Sequence, residues 1–503
     1  MKFRENWELG RPPGVEKKSE KVLFNVALAY RDELRSQLVE INTPVFQIAP
    51  AAVDDLVVAL AGLAEDLHAD AGLWRSIETS NTQLFGVPLP LVCREGDEGD
   101  EGLEAFDARR FRFFLYSLWR HFLPNVIVSP AHRGFLALSE HAATFFSAAF
   151  GRLPRKSPVA EYLGRQNHRG WSVKQKLIWL GTRSFLFRLF HGDYVARIEP
   201  EPGAEINTTD DFLCQECTEW SGFGVVDILA VVLELSDEDR ETLRGWQERH
   251  VAVYRIVNSI QEGRNDEVVE TVNEANGQTY RVRIGLDQGA NPFLPGMFVY
   301  GSLVPWRGEW YWSGSQRIVQ LSAVELADVR KKLRQTGSFS YRYCPDLERK
   351  AREFELKQRA NFLQFHGSDL ALFANGAVAA AAESKRVGLP GMCQEIKGAK
   401  DKTAVFYHSG EGVEIFTAYG TLRSALEKRD EALSEDEIET LQAFIEEDTV
   451  SPAFVRRVID ETGSAAVEEL FYLPKESIGV EYLLRRFKGC FFRKRYPNIS
   501  LRE

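Results

Sequence analysis

The hydrophobic pattern of this chain changes its period at Val251. Before this residue, apolar side chains recur every three or four positions, which is typical of helices. From Val251 to Gln320 they alternate with polar ones, which is typical of strands, and Asn276 and Gly277 form the strongest sequence signal for a hairpin turn. Five or six short strands within about 70 residues predict a small closed β-barrel of the SH3 or OB type.

The predicted barrel separates a mainly helical region before it from a mixed helical and hairpin region after it. Residues 1–205 have mainly helical periodicity, residues 206–250 are predicted to form a linker and a helix, and residues 251–320 form the barrel. Residues 321–503 combine helical stretches with two hairpin patterns. We therefore expect a multidomain α+β protein, with an N-terminal α-helical domain, a central small SH3/OB-like β-barrel and a C-terminal helical domain with β-hairpins.

Composition narrows the class of protein. Apolar residues make up 44% of the 503 residues and charged residues 27%, which is ordinary for a globular chain. The longest apolar run, residues 225–235, contains two acids and is too short to span a bilayer. The N-terminal stretch lacks the apolar segment of a secretory signal, and six cysteines are too few for a disulfide framework. We expect a cytoplasmic protein that has no membrane partner and no cofactor.

The most aromatic stretch lies in the predicted barrel, where PWRGEWYWSG covers residues 305–314. Trp310 and Trp312 fall on one side of an alternating strand and are predicted to fill the core. Trp306 lies in a turn and is predicted to face outwards. With Arg307 and Tyr311, it forms the predicted contact set for a protein partner, because small barrels often bind peptides on one face. The alternative, that these aromatic side chains only fill the core, stays open.

A second candidate surface is basic. Residues 152–197 contain ten Lys or Arg and only two acids, in a chain whose net charge is −11. Arginine and lysine bind phosphate, and an exposed tryptophan can stack on a base, so nucleic acid or phosphate could bind there. The candidate residues are Arg165, Arg169, Trp171, Lys174 and Lys176. The C-terminal RRFKGCFFRKRYP, residues 485–497, offers a similar pattern. The alternative is a solvated helix face that pairs with the acidic residues 95–104.

The pair Cys214 and Cys217 has C-x-x-C spacing, but no second pair or histidine pair follows at the spacing of a zinc site. We predict no metal site and a free or structural thiol pair. Zinc held by Cys214 and Cys217 with distant residues, and a redox pair, remain alternatives.

Candidate catalytic groups are scattered. The sequence His366-Gly367-Ser368-Asp369 contains the side chains of a hydrolytic triad, but adjacent residues point in different directions, and a helix end explains them equally well. An enzyme would need a site assembled across domains from isolated residues. The candidates for such a site are His168, His191, Asp193 and His366.

Several blocks, in order and spacing, resemble a bacterial domain-of-unknown-function family. They are residues 72–92, residues 110–135, the barrel end at residues 303–316, residues 362–376, and the C-terminal stretch from Val450. The resemblance implies an intracellular bacterial protein with this architecture, and it implies no catalytic residue.

The sequence favours a non-enzymatic binding or scaffold protein that uses its barrel to contact an unknown protein partner. Two alternatives stay open: an enzyme with a site assembled across domains, and a nucleic-acid-binding protein that uses residues 152–197 and the C-terminus. A net charge of −11 counts mildly against the last.

Overall fold

A computed structural model describes residues 3–14, 17–41, 43–93, 103–124, 126–262, 266–285, 291–335, 345–391, 393–428, 432–473 and 478–493. The acidic residues 95–102 lie outside this part of the chain. The chain divides into two compact units: Met1–Val272 with Thr279–Val319, and Asn273–Gln278 with Gln320–Glu503. The predicted α+β fold is confirmed, with helical N- and C-terminal regions and a closed five-stranded barrel in the middle.

Helices form the first part of the first unit. They are α1 (Phe3–Leu9), α2 (Lys17–Ile41), α3 (Pro50–Ala69), α4 (Leu73–Phe85), α5 (Ala108–Phe122), α6 (Arg133–Phe150), α7 (Pro158–Leu163), α8 (Gly170–Arg183), α9 (Arg188–Ile198), α10 (Glu205–Gln215), α11 (Val225–Val232) and α12 (Asp237–Arg244). A 3₁₀ turn, Gly245–Glu248, leads from α12 into the barrel.

The aromatic helix α5 shows why this unit is stable. The carboxylate of Asp107 accepts a hydrogen bond from the backbone N–H of Arg109 and so begins the helix. The following aromatic residues are buried, and the rings of Trp74 and Trp220 pack on Phe114 with centroids 5.7 and 5.5 Å away. Aromatic side chains bury a large apolar area, so this helix has the central position that its pattern predicts.

Helix α10 corrects the predicted linker. Residues 199–211 are rich in Pro, Gly and Thr, but their second half forms the first turns of α10. Asp210, Phe212, Leu213 and Cys214 are all buried in this helix. Their burial outweighs the low helix propensity of the Asn and Thr residues that precede them.

The barrel consists of β1 (His250–Gln261), β2 (Asp266–Asn273), β3 (Thr279–Gly285), β4 (Phe298–Trp306) and β5 (Glu309–Val319). The strands close in the order β1-β2-β3-β5-β4. Strand β4 pairs antiparallel with β1 and β5, and β3 pairs parallel with β5. The predicted turn is confirmed: Asn276 and Gly277 lie between β2 and β3, where the φ angle of Gly277 is +75°.

The second unit contains most of the remaining elements. They are α13 (Ala323–Gln335), α14 (Pro345–His366), β6 (Leu370–Phe373), α15 (Gly376–Val387), β7 (Thr403–His408), β8 (Gly412–Phe416), α16 (Tyr419–Glu427), α17 (Glu435–Glu446), α18 (Pro452–Thr462), α19 (Ala465–Leu470) and α20 (Ile478–Phe487). Strands β6, β7 and β8 form an antiparallel sheet in that order. The β7–β8 hairpin is confirmed. Asn375 caps α15 by accepting from the N–H of Val378.

No helix in the described ranges is both long and apolar enough to cross a membrane.

Candidate functional site

The interior of the barrel contains the aromatic side chains that were predicted to fill it. Trp312 is buried in the barrel core, and Trp310 packs against that core. The Trp312 ring meets Tyr254 edge to face at 5.6 Å, and the Trp310 ring meets Tyr280 in the same way at 4.8 Å. Such edge-to-face pairs add to the free energy gained from burial. The core assignment of both tryptophans is confirmed.

The prediction that Trp306 faces outwards is wrong. Its side chain is only 1% exposed, and its ring packs edge to face on Trp246 at 6.1 Å. The indole N–H of Trp246 donates to the carbonyl of Pro305 at 2.6 Å. Arg307 lies over the Trp306 ring and binds the carboxylate of Asp239 with two nitrogens. Residues from α12 and the following turn therefore cover this end of the barrel.

Tyr311 is also used inside the molecule. It lies on the outer side of β5, where the N-terminus of α8 covers it. A Cβ atom on Gly170 would lie 2.7 Å from its ring, so only glycine allows this approach. Burial raises the pKa of the Tyr311 phenol. The predicted contact set of Trp306, Arg307 and Tyr311 thus joins the barrel to the helices of its own unit.

A buried ionic cluster holds α8, α10 and the barrel together. The ammonium of Lys174 and the guanidinium of Arg249 both pair with the carboxylate of Asp210, and all three side chains are buried. The hydroxyl of Ser313 lies 2.8 Å from Lys174 Nζ and 2.8 Å from the nearer oxygen of Asp210. Burial acts to raise the pKa of Asp210, but the two cations lower it more strongly. The cluster fixes the helices to strand β5.

Cys214 belongs to this cluster, with its sulfur 3.8 Å from Lys174 Nζ. Burial raises the pKa of its thiol to about 12, although Lys174 opposes the shift. A protonated thiol beside an ammonium is a poor metal ligand and a poor nucleophile. Across the described residues, no group of three or more His, Cys, Asp or Glu is placed to hold a metal ion. The alternative of zinc at Cys214 and Cys217 gains no further ligand.

Two of the five candidate residues in the basic segment are not on the surface. Lys174 is buried in the ionic cluster, and Lys176 is buried beneath the loop before α8. Lys176 donates to the carbonyl of Leu163 at 2.7 Å and to the side chain of Asn167 at 2.6 Å. The two lysines are two positions apart, which is about 200° around the helix axis, so they are buried on opposite sides of α8. The structure corrects the predicted solvated patch at these two positions.

The other three basic-segment candidates are exposed. Arg165 and Arg169 lie in the loop that Lys176 holds, and Trp171 lies in the first turn of α8, where it is 38% exposed.

An open face on the opposite half of the barrel was not predicted. Tyr300 of β4 lies in register between Val253 of β1 and Arg317 of β5, with its side chain pointing away from the core. The Tyr300 side chain is 42% exposed, and Arg317 is exposed. The next row of this face contains Arg255 and Phe298, both half-buried. An aromatic ring beside arginines on a rigid sheet is the composition that interface centres favour.

Exposed apolar side chains lie on and near this face. Val257 continues the outer side of β1, whereas Ile318 of β5 pairs with the core residue Val299 and so lies on the opposite side of the sheet. Ile206 of α10 is also exposed, next to Asn207, whose side-chain oxygen accepts from the N–H of Ser315 at 3.0 Å. Helix α10 therefore covers β5 only as far as Ser315. We call the surface of Tyr300, Arg317, Phe298, Arg255 and Val257 the open barrel face.

The arginines of strand β3 are paired with carboxylates. Arg281 pairs with Glu262 at 2.6 Å, and Arg283 pairs with Glu262 and Glu309. Its two carboxylate partners hold Arg283 in its charged form. By contrast, Arg317 has no carboxylate within ion-pair distance among the residues that the structure describes. A partner that brings a carboxylate to the open barrel face would meet an arginine that is not already paired.

The scattered candidates for catalysis have local partners. His191 Nε2 lies 3.2 Å from the hydroxyl of Thr209, and Asp193 contacts Nδ1 of His121 at 2.6 Å. His366 lies 2.7 Å from the carboxylate of Glu383. His168 is exposed in the loop before α8. The His191 contact places a hydroxyl beside an imidazole, whereas the His121 and His366 contacts pair an imidazole with a carboxylate.

The described part of the basic C-terminus is also engaged within its own unit. The guanidinium of Arg485 lies 3.9 Å from the ring centroid of Phe492, and Arg456 lies 5.6 Å from it. Lys488 is buried and donates to the carbonyl of Glu447. Residues 494–497 of the predicted basic stretch lie outside the described residues.

No family model, curated protein or solved structure matches this chain. The resemblance to a bacterial domain-of-unknown-function family therefore stays a prediction, and arguments about function rest on the geometry.

The open barrel face was not predicted, because the prediction relied on the tryptophans and not on the alternation of side chains along β4. In FVYGSLVPW, the alternation places Tyr300 on the side opposite to Val299 and Leu303. That signal predicts an outward tyrosine. It does not show which half of the sheet the helices leave open, since that depends on α10.

Proposed function

We propose that this protein is a non-enzymatic binding protein, and that the open barrel face recognises a polypeptide partner. The observation that carries the proposal is the row of Tyr300 and Arg317 on the barrel sheet. This row is exposed beyond Ser315, the residue of β5 that contacts Asn207 of α10. Tyrosine and arginine are enriched among the residues that contribute most to binding energy.

The composition of the face supports a polypeptide. Val257 provides exposed apolar area on the same side of the sheet as Tyr300, and Arg317 provides a charge for an acidic side chain. Nucleic-acid surfaces are usually far more basic, and the chain carries a net charge of −11. Apolar area around an aromatic centre, with charge at its edge, is the usual arrangement in protein interfaces.

The remainder of the barrel supports the same choice. Tyr311 and Ser313 are covered by α8 and α10, and the arginines of β3 already have glutamate partners. A partner that bound at those places would have to break buried contacts first, whereas the open barrel face costs no such rearrangement.

Site-specific photocrosslinking tests the proposal. A photoreactive phenylalanine at Tyr300, and in a parallel preparation at Arg281 on the other side of the barrel, is irradiated in the native host. We expect a discrete crosslinked polypeptide from position 300 and none from position 281. The captured polypeptide is then titrated against the purified protein by isothermal titration calorimetry.

Matched variants decide the result. The double change Tyr300→Ala with Arg317→Glu should weaken binding of the captured polypeptide about a hundredfold, since two contacts at an interface centre are removed. The variant Trp171→Ala removes an exposed aromatic ring elsewhere in the same unit and should leave the Kd unchanged. Equal affinity in the double variant and the wild type would contradict the proposal.

A further inference from the structure

Strand β8 lies at one edge of its sheet and has hydrogen-bonding groups to spare. In β7, the N–H of Tyr407 donates to the carbonyl of Asp369, so the polar backbone groups of Tyr407 point towards β6 and those of Phe406 point towards β8. Phe406 pairs with Glu414, so the N–H and C=O of Ile415 point away from β7. Among the described residues, no group bonds to them. This edge therefore has donors and acceptors for one more strand.

A groove of about 340 Å³ lies between the end of β8 and helix α17. It is lined by residues 415–418, by Glu439 and Ala443 of α17, and by Glu447 just after the helix. Ala443 is four positions from each glutamate, so the three side chains lie along one stripe with a small side chain in the middle. Ligand sites have volumes of about 300–1,000 Å³. A segment that paired with the edge of β8 would lie in this groove.

Two buried side chains fix the turn that follows α17. The ammonium of Lys488 donates to the carbonyl of Glu447. The carboxylate of Glu414, on β8, accepts from the backbone N–H of Ser451 at 2.8 Å. The turn is thus tied both to α20 and to the strand, and the groove is already formed. A partner therefore loses little binding free energy to ordering it.

The groove is acidic. Glu439 and Glu447 are exposed, and neither carboxylate pairs with a Lys, Arg or His within the part of the chain that the structure describes. Residues 432–451 contain seven Asp or Glu and no Lys, Arg or His. A second copy of the chain at this edge would bring a second acidic wall, and like charges disfavour such a pair. A basic segment would instead meet carboxylates that are not already paired.

We propose that this groove binds an extended, basic polypeptide segment, which adds to β8 as a fourth strand and places two Lys or Arg side chains at Glu439 and Glu447. The two glutamates are eight positions apart, which is about 12 Å along a helix axis. Side chains four positions apart in a strand point the same way and are about 13 Å apart. The groove lies in the second unit, and it is independent of the open barrel face.

The experiment titrates the full-length protein into labelled nine-residue peptides and follows fluorescence anisotropy. The probe is made of threonine, which favours strands, with lysine at its third and seventh positions. One matched peptide has lysine at the third and fourth positions, where the two side chains point to opposite sides. Another has glutamate at the third and seventh positions.

We expect the probe to bind with a Kd of about 100 μM or tighter. The peptide with adjacent lysines should bind about three- to fivefold more weakly, since it loses one exposed ion pair. The glutamate peptide should bind at least about tenfold more weakly, because both of its charges are repelled. Equal binding of the lysine probe and the glutamate peptide would show that charge does not select the partner and would overturn the proposal.

Backbone methylation tests the strand pairing directly. In a strand, the N–H groups of alternate residues point to the same edge. Two versions of the probe therefore carry N-methyl groups, either on the fourth and sixth residues or on the fifth and seventh. One version should bind about tenfold more weakly than the probe and the other about as well, because only one edge pairs with β8. Equal affinity of the two versions would contradict the strand pairing.

Variants of the protein test the groove. Glu439→Gln and Glu447→Gln should each weaken binding of the probe about three- to fivefold. Ala443→Leu fills the groove without changing its charge and should weaken binding at least about tenfold. The control is Asp436→Asn, which removes an exposed charge of α17 outside the groove and should stay within about twofold. Circular dichroism verifies that each variant is folded.

The proposal is overturned if the probe does not bind the wild type, or if Asp436→Asn weakens binding as much as Glu439→Gln does. Analytical ultracentrifugation tests the other occupant, a second copy of the chain. A dimer of the wild type that Ala443→Leu dissociates would assign the edge of β8 to self-association and would also overturn the proposal.

Discussion

Each unit of this protein contains a buried ionic cluster around one carboxylate, that of Asp210 in the first unit and that of Glu383 in the second, and the two clusters differ in what they connect. In the first unit, Asp210 pairs with Lys174 and Arg249, and the Lys174 contact reaches Ser313, 139 positions away in the sequence. In the second unit, Glu383 pairs with Arg386 three positions later and with His366, 17 positions earlier. The first cluster joins helices to a barrel, and the second joins neighbouring elements.

The difference shows how a charge network can hold a fold together. Lys174 and Arg249 are both buried and pair with Asp210, and Arg249 also reaches the partly exposed Asp211. In the second cluster, an imidazole takes the place of one cation. Asp210 therefore faces two buried Lys or Arg side chains, whereas Glu383 faces one.

The largest effect is expected from Asp210→Asn. This change leaves Lys174 and Arg249 buried without their shared carboxylate, which should lower the free energy of unfolding by about 3–5 kcal/mol. All ten tryptophans lie at or before Trp312, in the first unit, so urea unfolding followed by tryptophan fluorescence reports this unit.

The control is Asp211→Asn. Asp211 also pairs with Arg249, but its side chain is 38% exposed, and solvent screens the pair. We expect a loss below about 1 kcal/mol. Equal losses in the two variants would show that Asp210 is not the centre of the cluster.

The next effect concerns the buried lysine of the second unit. Burial lowers the pKa of Lys488 to about 8, although Glu414 and Glu447 oppose the shift. Between pH 8 and the ordinary lysine pKa of about 10.4, the unfolded chain binds more protons than the folded one. Stability should therefore rise by about 3 kcal/mol as the pH increases across this window, and it should be lost as the pH falls through 8.

Lys488→Met should abolish this rise. The measurement is urea unfolding followed by far-UV circular dichroism at several pH values, since the second unit has no tryptophan. An unchanged pH slope in the variant would assign the effect to other groups. In the first unit, Lys176 has a similar pKa of about 8. The pH dependence of stability in that unit is measured by tryptophan fluorescence and compared with that of the second unit.

The smallest effect is expected from Glu383→Gln. Only one Arg loses its charge partner, and the amide keeps a hydrogen-bonding group beside Arg386 and His366, so we expect a loss of about 2 kcal/mol. Far-UV circular dichroism again follows the transition. The matched control, Glu353→Gln, removes an exposed helix pair with Arg349 and should change stability by less than about 0.5 kcal/mol. A loss as large as that of Asp210→Asn would remove the distinction between the clusters.

Local signals in the sequence determined much of the fold. The alternation after Val251 and the Asn276 and Gly277 turn predicted the barrel, and parity placed Trp310 and Trp312 in its core. The hydroxyl of Ser236 accepts from the N–H of Asp239 and so caps α12, and these two residues are three positions apart in the sequence. These features depend on residues a few positions apart, which is why one sequence is enough to show them.

Only the tertiary structure decided which residues are available for binding. Lys174 was predicted on the surface but is buried, because Asp210 and Ser313 meet it from elements distant in the sequence. Trp306 was predicted to face outwards but is covered by Trp246. Tyr300 is exposed because α10 covers the sheet only as far as Ser315. Strand periodicity gives the side of a sheet on which a side chain lies, whereas its exposure depends on what else packs there.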